Sequence, residues 1–86
     1  MVCNAQGTAG TFSGMIKDLC EDGLSFAGDR AWQVGEQISV MWKLDGDAMP
    51  MMVQGVVLNS TPDHTGVEFL NLEMHDRLRI MHLVAH

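Results

Sequence analysis

The sequence predicts a mainly β domain: five or six short strands forming a small antiparallel barrel or sandwich, with one helix at the C-terminus. Three observations carry this. Apolar and polar side chains alternate strictly over residues 37–44. Turn signals built from Gly, Asp and Pro recur between short apolar runs, as in small all-β domains. Over the last 15 residues the apolar period changes from two to that of a helix.

At 86 residues the chain has room for one core. Residues 1–86 therefore read as a single domain, with strands over about 2–70 and a helix over about 72–85. Residues 2–6 and 11–18 read as a hairpin around Gly7–Gly10. That pairing sets Cys3 opposite roughly position 14, not opposite Cys20. "GLSF" is the next strand, separated from "GTFSGMIKDL" by an acidic turn containing Glu21 and Asp22.

"QISVMWKL", residues 37–44, puts Ile38, Val40, Trp42 and Leu44 on one face and Gln37, Ser39, Met41 and Lys43 on the other. "DGDA" at 45–48 is a hairpin turn signal, and "MMVQGVVLNS" at 51–60 is the strand that follows. Gly55 within it marks a bulge or a close backbone approach. "STPDHTG" is a turn with Pro62 and Asp63 at its centre. In "GVEFL" the pattern points Val67 and Phe69 inward and Glu68 outward.

The helix is marked by Met74, Leu78, Met81 and Ala85, at i, i+4, i+7 and i+11, with Ile80, Leu83 and Val84 widening the stripe. One side must be covered by the barrel or by another chain. Asn71 reads as the N-cap. Glu73 and Asp76 come early and Arg77, Arg79 and His82 late, an order that complements the helix dipole.

Composition excludes several classes. An apolar fraction of 47% with 19% charged residues is that of a folded domain. The eight methionines read mostly as core filling. A net charge of −6, from five basic and eleven acidic side chains, disfavours nucleic acid and anionic membranes. Cys3 and Cys20 read as free thiols of a reducing cytoplasm. No apolar run reaches the roughly 18–20 residues of a membrane span, and there is no signal-peptide pattern. The expected location is cytoplasmic.

Catalytic and metal chemistry find little support. Of the histidines at 64, 75, 82 and 86, His75 and His82 are two helical turns apart, too far for both to reach one ion easily. Neither C-x-x-C spacing nor a nucleophile elbow occurs, and Glu21-Asp22 looks solvated. The chain reads as a non-enzyme without cofactor or metal. Trp42 falls in the inward register. Trp32, beside Arg30, is either packed over a barrel end or an exposed contact anchor.

The stretch "IKDLCEDGLSF" resembles the D-x-S-x-x-G segment of PilZ domains, with Asp18, Cys20 and Gly23 at its three pattern positions. "VGEQISVMWKL" is similar to that family's Gly-led strand, "VQGVVLNSTPDHTGVEF" to its strand pair ending in G-V-x-F, and "DRLRIMHLV" to its C-terminal helix. The order of these segments is more specific than any one of them. The resemblance implies a six-stranded antiparallel barrel with a helix across one end. It also implies a bacterial regulatory domain linked to cyclic di-GMP, with Asp18, Cys20 and Gly23 as candidate ligand-binding residues. In binding members an R-x-x-x-R segment just before the first strand grips guanines and phosphates.

Two departures weaken the ligand. The chain begins at about the first strand, no arginine precedes Arg30, and Cys20 stands at the serine position. A hydrogen bond to a charged group contributes about 1.5–3 kcal/mol, and each 1.4 kcal/mol is about tenfold in affinity. Losing two arginines would therefore abolish micromolar binding. Asp18, Glu21 and Asp22 would add repulsion against a dianion. In one reading Asp18 caps the turn, Gly23 supplies a positive φ, and the domain works through contacts with another protein or a parent-protein domain. In a second, arginines outside this chain complete the site. A third makes "AMPMMV" and the helix stripe a homo-oligomer surface of an adaptor unrelated to nucleotide signalling.

Overall fold

A computed structural model of the protein describes residues 1–43 and 50–84, with six strands, of which Gln37–Trp42 alternates buried and more exposed side chains most clearly. In chain order these are β1 (Val2–Gly7), β2 (Gly10–Leu19), β3 (Gly23–Ala27), β4 (Gln37–Trp42), β5 (Met51–Thr61) and β6 (His64–Leu70), followed by α1 (Met74–Val84). The strands close into an antiparallel barrel in the order β1-β2-β3-β6-β5-β4. Of the two architectures the pattern allowed, the barrel is the one formed. Closure leaves no unpaired sheet edge. The expected turn at 45–48, Leu44, Ala85, His86 and the side chains of Leu83 and Val84 lie outside the described residues.

The register follows the alternation. Cys3 pairs with Gly14 across β1 and β2, as the hairpin reading placed it. Ile38, Val40 and Trp42 of β4 point inward and are buried with Cys3, Ala5, Val53, Val57 and Val67. Two bulges interrupt the ladders, one between Ile16 and Asp18 and one between Val57 and Asn59. Gly55 itself is a close approach, not a bulge: a Cβ there would collide with the Val67 side chain and lie 2.9 Å from the Glu68 carbonyl oxygen.

The two barrel ends are closed differently. At one end Trp32 is buried, with its ring edge-on to Phe12 at 5.6 Å and to Phe26 at 6.3 Å. Its backbone N–H donates to Ser60 Oγ at 2.7 Å, and that hydroxyl also meets Thr65 Oγ1 at 2.8 Å. The contact-anchor reading of Trp32 is thereby overturned, since packing against Phe12 and Phe26 removes the indole from solvent. At the other end Ile80 of α1 is fully buried.

One helix expectation and one about the methionines need correction. The helix starts at Met74, and Asn71 is not its N-cap. Asn71 has φ +51°, a left-handed conformation that Asn tolerates, and it turns the chain out of β6. The cap position falls to Glu73, whose carbonyl accepts from Arg77 N at 2.9 Å. One side of the helix is covered by the barrel, as expected, and it is the Ile80 side; Met74, Leu78 and Met81 are exposed in the single chain. The methionines are likewise not mostly core: Met51 is buried, whereas Met1, Met15, Met52, Met74 and Met81 are exposed. Period alone cannot choose between these uses, because Met suits both gaps and surfaces.

Candidate functional site

Asp18, Cys20 and Gly23 all lie on the β2–β3 hairpin. One extra residue, Lys17, interrupts the ladder, so that Ile16 faces Phe26 but Asp18 faces Ser25. Across that pair Ser25 Oγ donates to Asp18 Oδ2 at 3.3 Å. Ser25 is buried and Asp18 exposed, so the hydroxyl holds the carboxylate from the barrel side. Beyond Leu19 the chain turns tightly. Cys20 N–H donates to the Gly23 carbonyl at 2.9 Å, and Cys20 Sγ lies 3.4 Å from the same oxygen.

Two expectations for this loop do not hold. Asp18 does not cap the turn; its partner is a side chain on the opposite strand. Gly23 does not have positive φ, which among the described glycines occurs at Gly10 and Gly35. Glycine is required at 23 because the β6 backbone crosses too close. A Cβ there would run into the Val67 carbonyl oxygen and sit 3.4 Å from Glu68 Cα.

The hairpin tip is fastened to the rest of the domain. The Asp22 carbonyl accepts from Phe69 N–H at 2.9 Å, and its carboxylate lies 3.6 Å from Arg77 Nη1 on α1. Both side chains of that ion pair are solvent-accessible, so it contributes at most about 1 kcal/mol. Ser25 and Arg77 were not singled out as site residues from the sequence. Ser25 could have been found opposite Asp18 only with the Lys17 bulge known. Arg77 showed only as a charge favourable to the helix dipole.

Charge at the hairpin is mainly negative, from Asp18, Glu21 and Asp22, with Lys17 and Arg77 beside them. Arg30 is elsewhere. Its guanidinium stacks 4.6 Å from the Phe12 ring centre and 4.4 Å from that of Trp32, while its Nε–H donates to the Ala31 carbonyl at 3.2 Å. Phe12 precedes Asp18 by six positions on β2, about 20 Å of strand. The start of β1, by contrast, is near. Ile16 N–H donates to the Met1 carbonyl at 2.7 Å, so a residue preceding Met1 would emerge beside Lys17 and Asp18.

Cys20 is exposed and Cys3 buried, both as free thiols. Burial pushes the Cys3 thiol above its ordinary value of 9.0, opposed in part by the positive N-terminus. Among the described residues, no three His, Cys, Asp or Glu side chains gather as a metal site. Surface depressions of about 220 and about 360 Å³ occur on the barrel, and neither is lined by Asp18, Cys20 or Gly23. No helix among the described residues is long and apolar enough to cross a membrane. The hairpin offers a polar, partly anionic surface.

Comparison with known proteins gives one family. The sequence model of the PilZ domain matches residues 1–86. Among solved structures, the crystal structure of the PilZ domain of CeSA from a cellulose synthesizing bacterium is similar, with a TM-score of 0.77 and 12% sequence identity. The match covers 100% of this chain and 93% of that one. At that identity the likeness speaks for the fold alone. No curated protein matches.

Proposed function

This chain belongs to the PilZ domain family, and on that footing we propose that it is a regulatory domain of a bacterial cyclic di-GMP-linked pathway, acting through protein contacts. PilZ is a regulatory and binding family and not a catalytic one. By itself the chain binds cyclic di-GMP weakly or not at all, and it works in the cytoplasm.

The observation that carries this reading is where Arg30 and Arg77 are. Arg30 is stacked on Phe12 and Trp32 at the far end of β2, and Arg77 is engaged with Asp22. Neither presents a fork to a dianion lying over Asp18. Three carboxylates on the hairpin add repulsion, and a thiol at position 20 is a poorer hydrogen-bonding group than a hydroxyl. Asp18 already spends one oxygen on Ser25.

One feature favours a second reading, a competent receptor completed by arginines outside this chain. The start of β1 lies beside the Lys17 bulge, where a preceding R-x-x-x-R segment would reach the hairpin. Isothermal titration separates the two. The 86-residue chain titrated with cyclic di-GMP at modest salt is expected to give no heat. Micromolar binding by this chain would overturn the proposal. Extending the chain with an R-x-x-x-R segment tests the hairpin itself: tight binding that Asp18→Ala removes would support the second reading.

A further inference from the structure

Over residues 74–82, the part of α1 whose side chains are described, Ile80 alone is buried. The others are exposed or half-buried, so this part of the helix holds to the barrel end through little apolar surface. The chain reaches the helix from β6 through Asn71, whose φ of +51° is the one positive φ outside glycine among the described residues. That conformation is unfavourable for a residue with a Cβ, though least so for Asn and Asp. A sharp joint and one buried anchor suit a helix that parts from the barrel without unfolding it.

Trp42 lies at the same barrel end, opposite Cys3 and Met51 near the starts of β1 and β5. Its Nε1–H is buried and has no hydrogen-bond partner among the described residues. A donor in that state disfavours the closed form, because water would satisfy it.

Asp22 joins the helix to the hairpin. Its carboxylate lies 3.6 Å from Arg77 Nη1, and its carbonyl accepts from Phe69 N–H at 2.9 Å. One residue of the hairpin tip thus holds both the helix and the end of the strand that leads into it. The tip itself is closed by Cys20 N–H on the Gly23 carbonyl. Two candidate site residues, Cys20 and Gly23, therefore flank the residue that also grips α1.

We propose that α1 is a latch that parts from the barrel end as a unit, and that the Asp22–Arg77 pair couples its release to the hairpin tip at residues 20–23. The coupling runs in both directions, as linkage requires. Freeing the helix loosens the tip. Drawing the Asp22 carboxylate away from Arg77, as a basic group of a protein partner at the hairpin would do, frees the helix. The inference goes beyond the nucleotide reading and does not rest on it, since it needs only an event at Asp22.

Native-state hydrogen exchange on the 86-residue chain tests the proposal. The amides of α1 should exchange through an opening that leaves those of β4 and β5 protected. Arg77→Gln removes a solvent-accessible ion pair. It should speed exchange in α1, and with it at Cys20 and Phe69, by about two- to fivefold, the range of an exposed pair. The amides of β4 and β5 should not change. Asp22→Asn keeps the backbone bond to Phe69 and should give the same pattern, and the two substitutions together should do no more than either alone. Ile80→Val trims the buried anchor. It should speed exchange at Cys20 and Phe69 in the wild type, but not once Arg77→Gln has cut the link. Cys20 and Phe69 amides indifferent to Arg77→Gln would overturn the proposal, and so would helix amides that exchange only when the whole barrel opens.

Discussion

Ser25 and Asp18 face each other across β2 and β3, and the buried hydroxyl donates to the exposed carboxylate at 3.3 Å. The pairing exists only because Lys17 is bulged out of the ladder. Removing either partner has unequal consequences. Ser25→Ala loses one hydrogen bond, about 1 kcal/mol. Asp18→Ala strands a buried hydroxyl, about 1–3 kcal/mol. Urea unfolding of the two variants should show Asp18→Ala to be the more damaging; the reverse order would argue against the bond.

At Gly23 a side chain has nowhere to go, because its nearest neighbour is the backbone carbonyl of Val67. Gly23→Ala should cost about 1–3 kcal/mol or more, by forcing β3 and β6 apart. Gly35 has positive φ and open space around its Cβ direction, so Gly35→Ala should cost only the conformational penalty, about 1 kcal/mol. Thermal unfolding of both would separate steric from conformational causes.

The two thiols should behave differently. Cys20 is exposed and should react with Ellman's reagent in the native state; Cys3 is buried and should react only as the barrel opens. The raised pKa of Cys3 has a stability consequence. Above its ordinary value of 9.0 the unfolded chain loses this proton while the folded chain keeps it. Unfolding then releases a proton, so this contribution to stability is constant below about pH 8 and falls as pH rises toward the folded value. Urea midpoints of the wild type and Cys3→Ala from pH 7 to 10, about the range that covers this titration, should converge at the alkaline end.

Trp32 closes its barrel end against Phe12 and Phe26, and Arg30 stacks on the outside. Trp32→Ala should cost about 3–5 kcal/mol, enough to threaten folding of a chain this short. Arg30→Ala should cost about 0.5–1 kcal/mol, a cation–π contact at a partly exposed site. A large loss in Arg30→Ala would mean that the guanidinium braces the end more than stacking accounts for.

Local pattern made much of this molecule readable. Strict alternation over Gln37–Trp42 identified the inward face of β4, and the Gly7–Gly10 turn set Cys3 opposite Gly14. Asp18, Cys20 and Gly23 were found together because they are close in the chain. What bound them was not readable. Ser25 required the Lys17 bulge, and the need for glycine at 23 arises from a strand more than 40 positions away in the chain.

Strands, turns and the amphipathic helix were legible from residue order, because each rests on neighbours within about ten residues, and the family resemblance from the order of such segments along the chain. Which apolar residues stay outside was settled only when the chain closed on itself. Ile80 enters the barrel end while Met74, Leu78 and Met81 do not. Trp32 is buried and Arg30 is carried to the end remote from Asp18. These outcomes depend on how a closed barrel of six strands brings distant positions together, and residue spacing does not encode that.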